Sequence, residues 1–370
     1  MKVAIVVNTS WNIYNFRAGI VQALLAKGVE VIAIAPEDEY SQRLVSWGCR
    51  YIPVKIENKG SNPWNDLKFL FRLYSLYKTV RPDVVLHYTI KPNIYGTLAA
   101  RLAKVPAINN VSGLGTVFLH QNLTSFIAKK LYRLAFKFPV KIFFQNKEDR
   151  ELFVDLKLVA QAKTALLPGS GVNTEKFSVL EKSKPATGFI FLMVARLLYD
   201  KGIVEYIEAI RQLKKENIRA RFQVVGAIDE SANLGVSMEK VKEWVAEGLL
   251  EYFPFTDRLV EFYHQADCVV LPSYREGTPR SLLEGAACGK PLIATDVPGC
   301  REVVVDGKNG YLCNVKDPSD LADKMKKMIH LEEQEYRSMA VLSRKYILEN
   351  FDENLVINAY FSAINSIITI

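Results

Sequence analysis

A chain of 370 residues, 49% hydrophobic and 24% charged, has the composition of an ordinary globular protein and is too long for one typical core. It is neither collagen-like nor low in complexity, and no apolar run is long enough for a secretion signal or a membrane span. The formal charge of +8 is uneven: residues 1–165 carry 23 Lys and Arg against 11 Asp and Glu, while the remainder carry 25 against 29. The basic first half suggests an anionic partner, although solubility alone accounts for such a balance equally well.

In chain order, short apolar β-rich runs alternate with longer stretches of helical period. The expected strands of the first half are Val3–Val7, Val29–Ala35, Tyr51–Ile56, Asp83–His87, Ala107–Val111, Lys141–Gln145 and Thr164–Leu167. Between them fall helices Phe16–Lys27, Trp64–Val80, Asn93–Lys104 and Thr124–Phe138. Residues Glu175–Gly188, rich in Lys, Ser and Pro, read as a linker. Alternation then resumes with strands Phe189–Ala195, Arg221–Val225, Glu251–Phe255, Cys268–Leu271, Pro291–Thr295 and Gly310–Cys313. The expected architecture is α/β, with two Rossmann-like doubly wound domains facing across a cleft and ligands at the carboxyl ends of the strands. The domains run over 1–170 and 187–350, and an apolar tail helix, 352–370, packs back on the first.

Five cysteines without paired spacing and four histidines without ligand spacing argue for reduced thiols and against a metal centre. His87, at a strand end, reads better as a satisfied core histidine than as a ligand-facing one. The acidic run Glu37-Asp38-Glu39 is expected to cap the helix after it. Neither a GxxxxGK[ST] loop nor a GxGxxG fingerprint is present.

Two clusters carry chemistry. The segment Leu271-Pro-Ser-Tyr-Arg-Glu276-Gly277-Thr278-Pro279-Arg280-Ser-Leu-Leu-Glu284 runs from a strand end into a helix start, with two carboxylates eight positions apart. Free N–H groups at that helix start form an anion site, and a carboxylate there can accept hydrogen bonds from ribose hydroxyls. The second cluster, Ala195-Arg196-Leu-Leu-Tyr-Asp-Lys201-Gly202, places two cations after another strand, suited to a diphosphate leaving group.

With the Pro272-Ser273 step and the Cys288-Gly289-Lys290-Pro291 turn, these segments resemble retaining glycosyltransferase family 4 over essentially the whole chain. The resemblance implies a GT-B fold, retention of the donor's anomeric configuration, and no metal or other cofactor. It implies catalytic roles for Arg196, Lys201 and Glu276. Donor binding would fall to Glu284, Gly277, Thr278, Pro279, Arg280 and Phe255. In the first half, Trp11-x-x-Tyr14-x-Phe16-Arg17, Lys91-Pro92-Asn93, Val111-Ser112-Gly113-Leu114-Gly115 and Asn173 after Gly169-Ser170-Gly171 resemble bacterial enzymes that extend undecaprenyl-diphosphate-linked sugars. That narrower likeness implies Asn15, Arg17, Lys91, Ser112, Gly113 and Gly115 as acceptor or cleft residues, a UDP-sugar donor and a lipid-linked saccharide acceptor. The loop after the first strand, Asn8-Thr-Ser-Trp-Asn, departs from the family's Gly-rich form. The family's donor-facing histidine is missing from Asn109-Asn-Val-Ser-Gly-Leu-Gly, so that role is not carried over.

One expectation concerns the anionic membrane surface. In Ser125–Phe138, Ile127, Leu131, Leu134 and Phe138 form an apolar stripe beside Lys129, Lys130, Arg133 and Lys137, and Lys68–Lys78 repeats the mixture. A core-packed helix with a solvated basic face gives the same pattern; the basic balance and the implied lipid-linked acceptor favour peripheral docking on the inner face of the cytoplasmic membrane. Nucleic acid has no place in this reading. The alternatives are a UDP-sugar 2-epimerase or phosphorylase on the same fold, or a non-catalytic nucleotide-sugar binder.

Overall fold

The computed structural model describes residues 1–57, 62–113, 123–181, 183–185, 188–228 and 235–368. The chain forms two compact units, one of Met1–Ser170 with Glu353–Ile370 and one of Gly171–Asp352. Each is built on a parallel sheet.

In the first unit the elements are β1 (Lys2–Val6), α1 (Ser10–Phe16), α2 (Ala18–Ala26), β2 (Glu30–Ala35), α3 (Ser41–Ser46), β3 (Arg50–Pro53), α4 (Pro63–Val80), β4 (Val84–Tyr88), α5 (Thr97–Ala103), β5 (Ala107–Val111), α6 (Leu123–Ala135), β6 (Lys141–Phe144), α7 (Lys147–Asp155) and β7 (Thr164–Leu166). The sheet order is β3-β2-β1-β4-β5-β6-β7, all parallel, so the order in which strands are added reverses between β1 and β4. Helices cover both faces, which is why β1, β2 and β4 are near-continuous apolar runs rather than alternating ones, while β5 is buried throughout despite Asn109 and Asn110.

Local chemistry sets the boundaries. Asn62 caps α4 by accepting the Trp64 N–H, with Pro63 in the first turn where its missing N–H costs nothing. The helix expected over Phe16–Lys27 is α2, Ala18–Ala26, and a separate short helix, α1, precedes it. Arg17 leaves the helical region at φ −125° and lays its guanidinium over the Tyr88 ring, 4.2 Å from its centroid. A one-turn π-helix, Pro92–Gly96, leads into α5.

The acidic run does not cap the helix that follows it. The Asp38 carboxylate instead accepts the N–H groups of Ser10 (3.0 Å) and Trp11 (3.1 Å), the start of α1, together with its own neighbour Tyr40. His87 is fully buried between the Tyr77 hydroxyl (2.9 Å) and Asn109 Oδ1 (3.3 Å), and desolvation pulls its pKa down to about 3. It is a neutral core residue.

The second unit contains β8 (Phe189–Val194), α8 (Ile203–Lys215), β9 (Ala220–Val225), α9 (Met238–Ala246), β10 (Glu251–Phe253), α10 (Leu259–Gln265), β11 (Cys268–Leu271), α11 (Arg280–Ala287), β12 (Leu292–Thr295), α12 (Cys300–Val303), β13 (Gly310–Cys313), α13 (Pro318–His330) and α14 (Glu333–Asn350). Its sheet order is β10-β9-β8-β11-β12-β13, reversing between β8 and β11. The segment read as a linker is partly structural: Phe177 is buried against Tyr263, and Arg344 holds the Thr174 and Phe177 carbonyls. All five cysteines are buried and unpaired.

The chain then returns. Helix α15 (Glu353–Asn365) packs on α2 in the first unit, burying Val356, Tyr360 and Ile364, and the Tyr360 hydroxyl accepts from Asn110 Nδ2 at 3.0 Å.

Candidate functional site

In an open parallel sheet, the connections that leave the carboxyl ends of the two strands at the reversal run to opposite faces and leave a crevice for ligand. In the second unit those strands are β8 and β11, and the two clusters singled out from sequence follow them directly.

After β8 the chain puts Arg196 at the surface, then buries Leu197 and Leu198. Leu197 is pinned by its N–H on the Ala227 carbonyl (3.0 Å) and by the Val236 N–H on its own carbonyl (3.0 Å). A single 3-10 turn, Tyr199–Lys201, ends at Gly202, which precedes α8 at φ +75°. A Cβ there would lie 2.0 Å from the Pro272 carbonyl oxygen, so both backbone angle and close approach require glycine.

The loop after β11 meets this turn. Tyr274 N–H donates to the Asp200 carbonyl at 2.9 Å, and Ser273 Oγ to the same oxygen at 3.2 Å. Lys201 Nζ lies 2.5 Å from Glu276 Oε1, with side chains 21% and 14% exposed. Behind the loop, Gly299 at φ +81° runs against the Glu276 and Gly277 carbonyls, where a Cβ would come within 2.7 and 2.3 Å.

Pro279 is the N-cap of α11. Inside α11, Arg280 Nε donates to Glu284 Oε1 at 2.7 Å, and the Tyr263 hydroxyl donates to Glu284 Oε2 at 3.1 Å. Burial, then the Glu284 charge, raise the Tyr263 pKa well above its ordinary value, so it stays a donor. Glu284 is 6% exposed and held from two sides. Gly277 and Thr278 are half-buried in the loop between the two acids. Phe255 stands two residues beyond β10, 38% exposed.

The first-unit candidates are less of one kind. Lys91 is not a bare cation: its ammonium lies 2.6 Å from Asp66 Oδ1, and Tyr95 OH donates to the other oxygen at 3.0 Å. Arg17 is 4% exposed, turned into the core. Asn15 Nδ2 donates to the Trp11 carbonyl in α1. Ser112 and Gly113 follow β5, half-buried; Gly115 lies outside the described residues. Among the described residues, Arg17 Nε, Asn93 Oδ1 and Asn110 Oδ1 are buried with no hydrogen-bond partner.

The structure thus joins Lys201 to Glu276 and Arg280 to Glu284, each within the second unit. Sequence reasoning missed Tyr263, Tyr274, Asp66 and Asn110. Their partners lie at separations from 21 to 250 residues, beyond any local pattern. Among the described residues no group of three or more His, Cys, Asp or Glu is arranged to hold a metal ion.

The apolar stripe of α6 is also resolved. Ile127, Leu134 and Phe138 are exposed, as is Phe126, whereas Tyr132, Ala135 and Phe136 form the buried side. Leu131 is intermediate, and the helix ends at Ala135, short of Phe138. The stripe is therefore not the face that packs on the sheet.

Comparison with known proteins gives matches across both units. Residues 175–344 match the family described as glycosyl transferases group 1, and residues 2–146 match glycosyl transferase 4-like. The N,N'-diacetylbacillosaminyl-diphospho-undecaprenol alpha-1,3-N-acetylgalactosaminyltransferase of Campylobacter jejuni is 31% identical, covering 100% of this chain and 99% of that protein. The UDP-Gal:alpha-D-GlcNAc-diphosphoundecaprenol alpha-1,3-galactosyltransferase of Escherichia coli is 28% identical over 68% of this chain and 67% of its own. Among solved structures, a Rickettsia africae glycosyltransferase superposes with a TM-score of 0.82 at 20% identity, covering 99% of this chain and 98% of that one. Anabaena HepE in complex with UDP-glucose gives 0.80 at 17% identity, with 99% of each chain covered.

Proposed function

The chain belongs to glycosyltransferase family 4, with the GT-B fold, and from that premise we propose that it transfers a hexose or N-acetylhexosamine from a UDP-sugar to a polyprenyl-diphosphate-linked saccharide, with retention. That the chain is a glycosyltransferase of polysaccharide assembly follows from its relatives; donor, acceptor and residue roles are our reading. The observation that carries these roles is the Lys201–Glu276 pair at the reversal point of the second sheet.

In this reading Arg196 and Lys201 hold the donor diphosphate, and their charge offsets the negative charge that grows on UDP as the glycosidic bond breaks. Glu276 lies on the reacting face of the sugar, with the backbone after it holding the sugar's hydroxyls. Glu284, fixed by Arg280 and Tyr263, accepts from the ribose hydroxyls.

The same reading puts the lipid-linked acceptor with the first unit and docks that unit on an anionic membrane at the cytoplasmic side. No helix among the described residues is long and apolar enough to cross a membrane. Support for docking comes from side chains left in solvent: Phe126, Ile127 and Leu134 from α6, Phe138 just beyond it, and Trp64, Leu67 and Phe71 from α4, with Lys68, Arg72, Lys130, Arg133 and Lys137 exposed among them. Residues 62–141 contain only two acids, Asp66 and Asp83, and both are occupied, by Lys91 and by the Lys2 N–H.

The deciding experiment is a panel of UDP-sugars against synthetic polyprenyl-diphosphate sugars, with products identified by mass spectrometry. Acceptor-dependent UDP release with a product one sugar longer is expected. An acceptor-free change in the UDP-sugar, or a requirement for inorganic phosphate, would instead establish an epimerase or phosphorylase.

A further inference from the structure

The turn that carries Lys201 and the loop that carries Glu276 come from sequence positions 75 residues apart, yet their ammonium and carboxylate meet at 2.5 Å. Something must fix one segment against the other. The backbone contacts already described do part of this: Tyr274 N–H and Ser273 Oγ both reach the Asp200 carbonyl, and Gly202 passes beneath the Pro272 carbonyl.

A side-chain bolt completes it. Tyr274 OH donates to Glu205 Oε1 at 2.7 Å. Glu205 sits in the first turn of α8, four residues beyond Lys201, and is 8% exposed. Its other oxygen, Oε2, is buried with no hydrogen-bond partner among the described residues. A carboxylate so withdrawn from water is costly to place unless a donor meets it, so the Tyr274 bond is strongly favoured over any alternative rotamer of that ring. The Tyr274 ring is held from another side as well. Lys316, whose backbone takes a left-handed φ of 59°, sets its ammonium 4.7 Å from the ring centroid. Tyr274 is therefore fixed at its N–H, its ring and its hydroxyl, two residues before Glu276.

We infer that Glu205 and Tyr274 are positioning residues for the Lys201–Glu276 pair: their hydrogen bond sets the distance and angle between the two groups without touching substrate. The inference rests on the reading of that pair as the reacting pair. It predicts a particular signature. Loss of the bolt leaves Lys201 on its own turn, where its N–H donates to the Leu198 carbonyl at 3.0 Å, and leaves Arg280 and Glu284 fixed through α11 and Tyr263, so it shifts chiefly the loop that carries Glu276. Donor affinity is therefore kept while turnover falls.

The test compares Tyr274→Phe, Glu205→Leu, Glu205→Gln and Lys201→Ala in the full-length protein. Each is read out as turnover, donor KM, UDP affinity by calorimetry, and melting temperature. Tyr274→Phe keeps the ring under Lys316 but removes the donor; turnover is expected to fall roughly ten- to a hundred-fold, the range a misplacement of about an ångström produces, with UDP affinity within about threefold of wild type. Glu205→Leu is expected to do the same. Glu205→Gln keeps an acceptor oxygen for the hydroxyl and is expected to restore most of the turnover. Leu213→Ala, a buried change at the far end of α8, controls for stability: it should lower the melting temperature without lowering turnover at a temperature where it is folded.

Wild-type turnover in Tyr274→Phe, with Lys201→Ala inactive, overturns the inference and leaves the reading of the pair intact. Turnover and UDP affinity falling together in Tyr274→Phe also overturns it, since that marks a residue shaping the binding site. Wild-type turnover in Lys201→Ala removes the underlying reading itself.

Discussion

Lys201 and Glu276 form an ion pair at 2.5 Å in which both side chains are mostly withdrawn from solvent. Removing either leaves the other with a poorly solvated, uncompensated charge, so variants at these positions affect the site twice.

Replacing Lys201 by Ala should therefore lower turnover more than replacing Arg196 by Ala. Arg196 is exposed, and its loss removes stabilisation of the departing diphosphate alone, roughly 3 kcal/mol for such a group. Steady-state kinetics on the two single variants checks this. Near-normal turnover in both would remove the diphosphate assignment.

Glu284→Gln and Glu276→Gln should separate. Glu284 is held by Arg280 and Tyr263 at the start of α11, so its amide variant chiefly weakens donor binding and raises donor KM. Glu276→Gln chiefly lowers kcat. If the two effects came out exchanged, the division between ribose holder and reacting-face carboxylate would be wrong.

Activity should survive chelation. In the proposed chemistry Arg196 and Lys201 supply the positive charge that a divalent ion supplies elsewhere. Turnover measured in excess EDTA should match the untreated rate. Inactivation that magnesium or manganese reverses would contradict the proposal.

Docking through α6 predicts vesicle sedimentation that depends on anionic lipid and weakens with salt. Each basic residue near the surface adds about 1 kcal/mol, screened beyond about 10 Å at 0.1 M salt. Changing Lys129, Lys130, Arg133 and Lys137 together to Gln should abolish most of the binding. Sedimentation indifferent to lipid charge, to salt and to these four changes would exclude docking by this helix.

His87 predicts an acid-labile first unit. Its folded pKa, about 3, lies below the ordinary 6.5 because burial disfavours the imidazolium. The unfolded chain therefore binds the proton first. The stabilisation is present above about pH 6.5 and is lost as pH falls toward 3, at up to roughly 1.4 kcal/mol per pH unit. Denaturant titrations of wild type and His87→Gln across pH 7.5 to 5 should differ in slope in this direction; parallel pH dependences would place the acid sensitivity elsewhere.

What was legible in the sequence was what local chemistry controls. The apolar run of β11, Pro279 at the start of α11 and the eight-residue step from Glu276 to Glu284 are all written within one segment, and the segment folds as they indicate. What was not legible depends on distant partners. Asp38 looked like a cap for its own neighbours, yet the folded chain brings the start of α1 to it. Nothing beside Lys91 in the sequence announced its ion pair, because Asp66 lies 25 residues earlier, in α4. The helix expected from Phe16 begins only at Ala18, because Arg17 leaves the helical region with its guanidinium over the ring of Tyr88, on β4. Periodicity identified the two faces of α6, but the face that enters the core was chosen by Tyr132 and Phe136 packing with Phe153, not by the stripe of Ile127 and Leu134.

The return of α15 to the first unit reverses the order in which the two units can be finished on the ribosome. Residues Gly171–Asp352 are contiguous, so that unit has all its parts as soon as it has emerged. The first unit, although translated earlier, must wait through those 182 residues for Val356, Tyr360 and Ile364 to close its core and for the Tyr360 hydroxyl to reach Asn110. During that interval the apolar surface under α15, including Val21 and Tyr88, stays uncovered on the nascent chain, the period when aggregation competes with folding. A fragment ending before Glu353 would hold the first unit permanently in that state, while a separate peptide spanning α15 could relieve it by binding in trans.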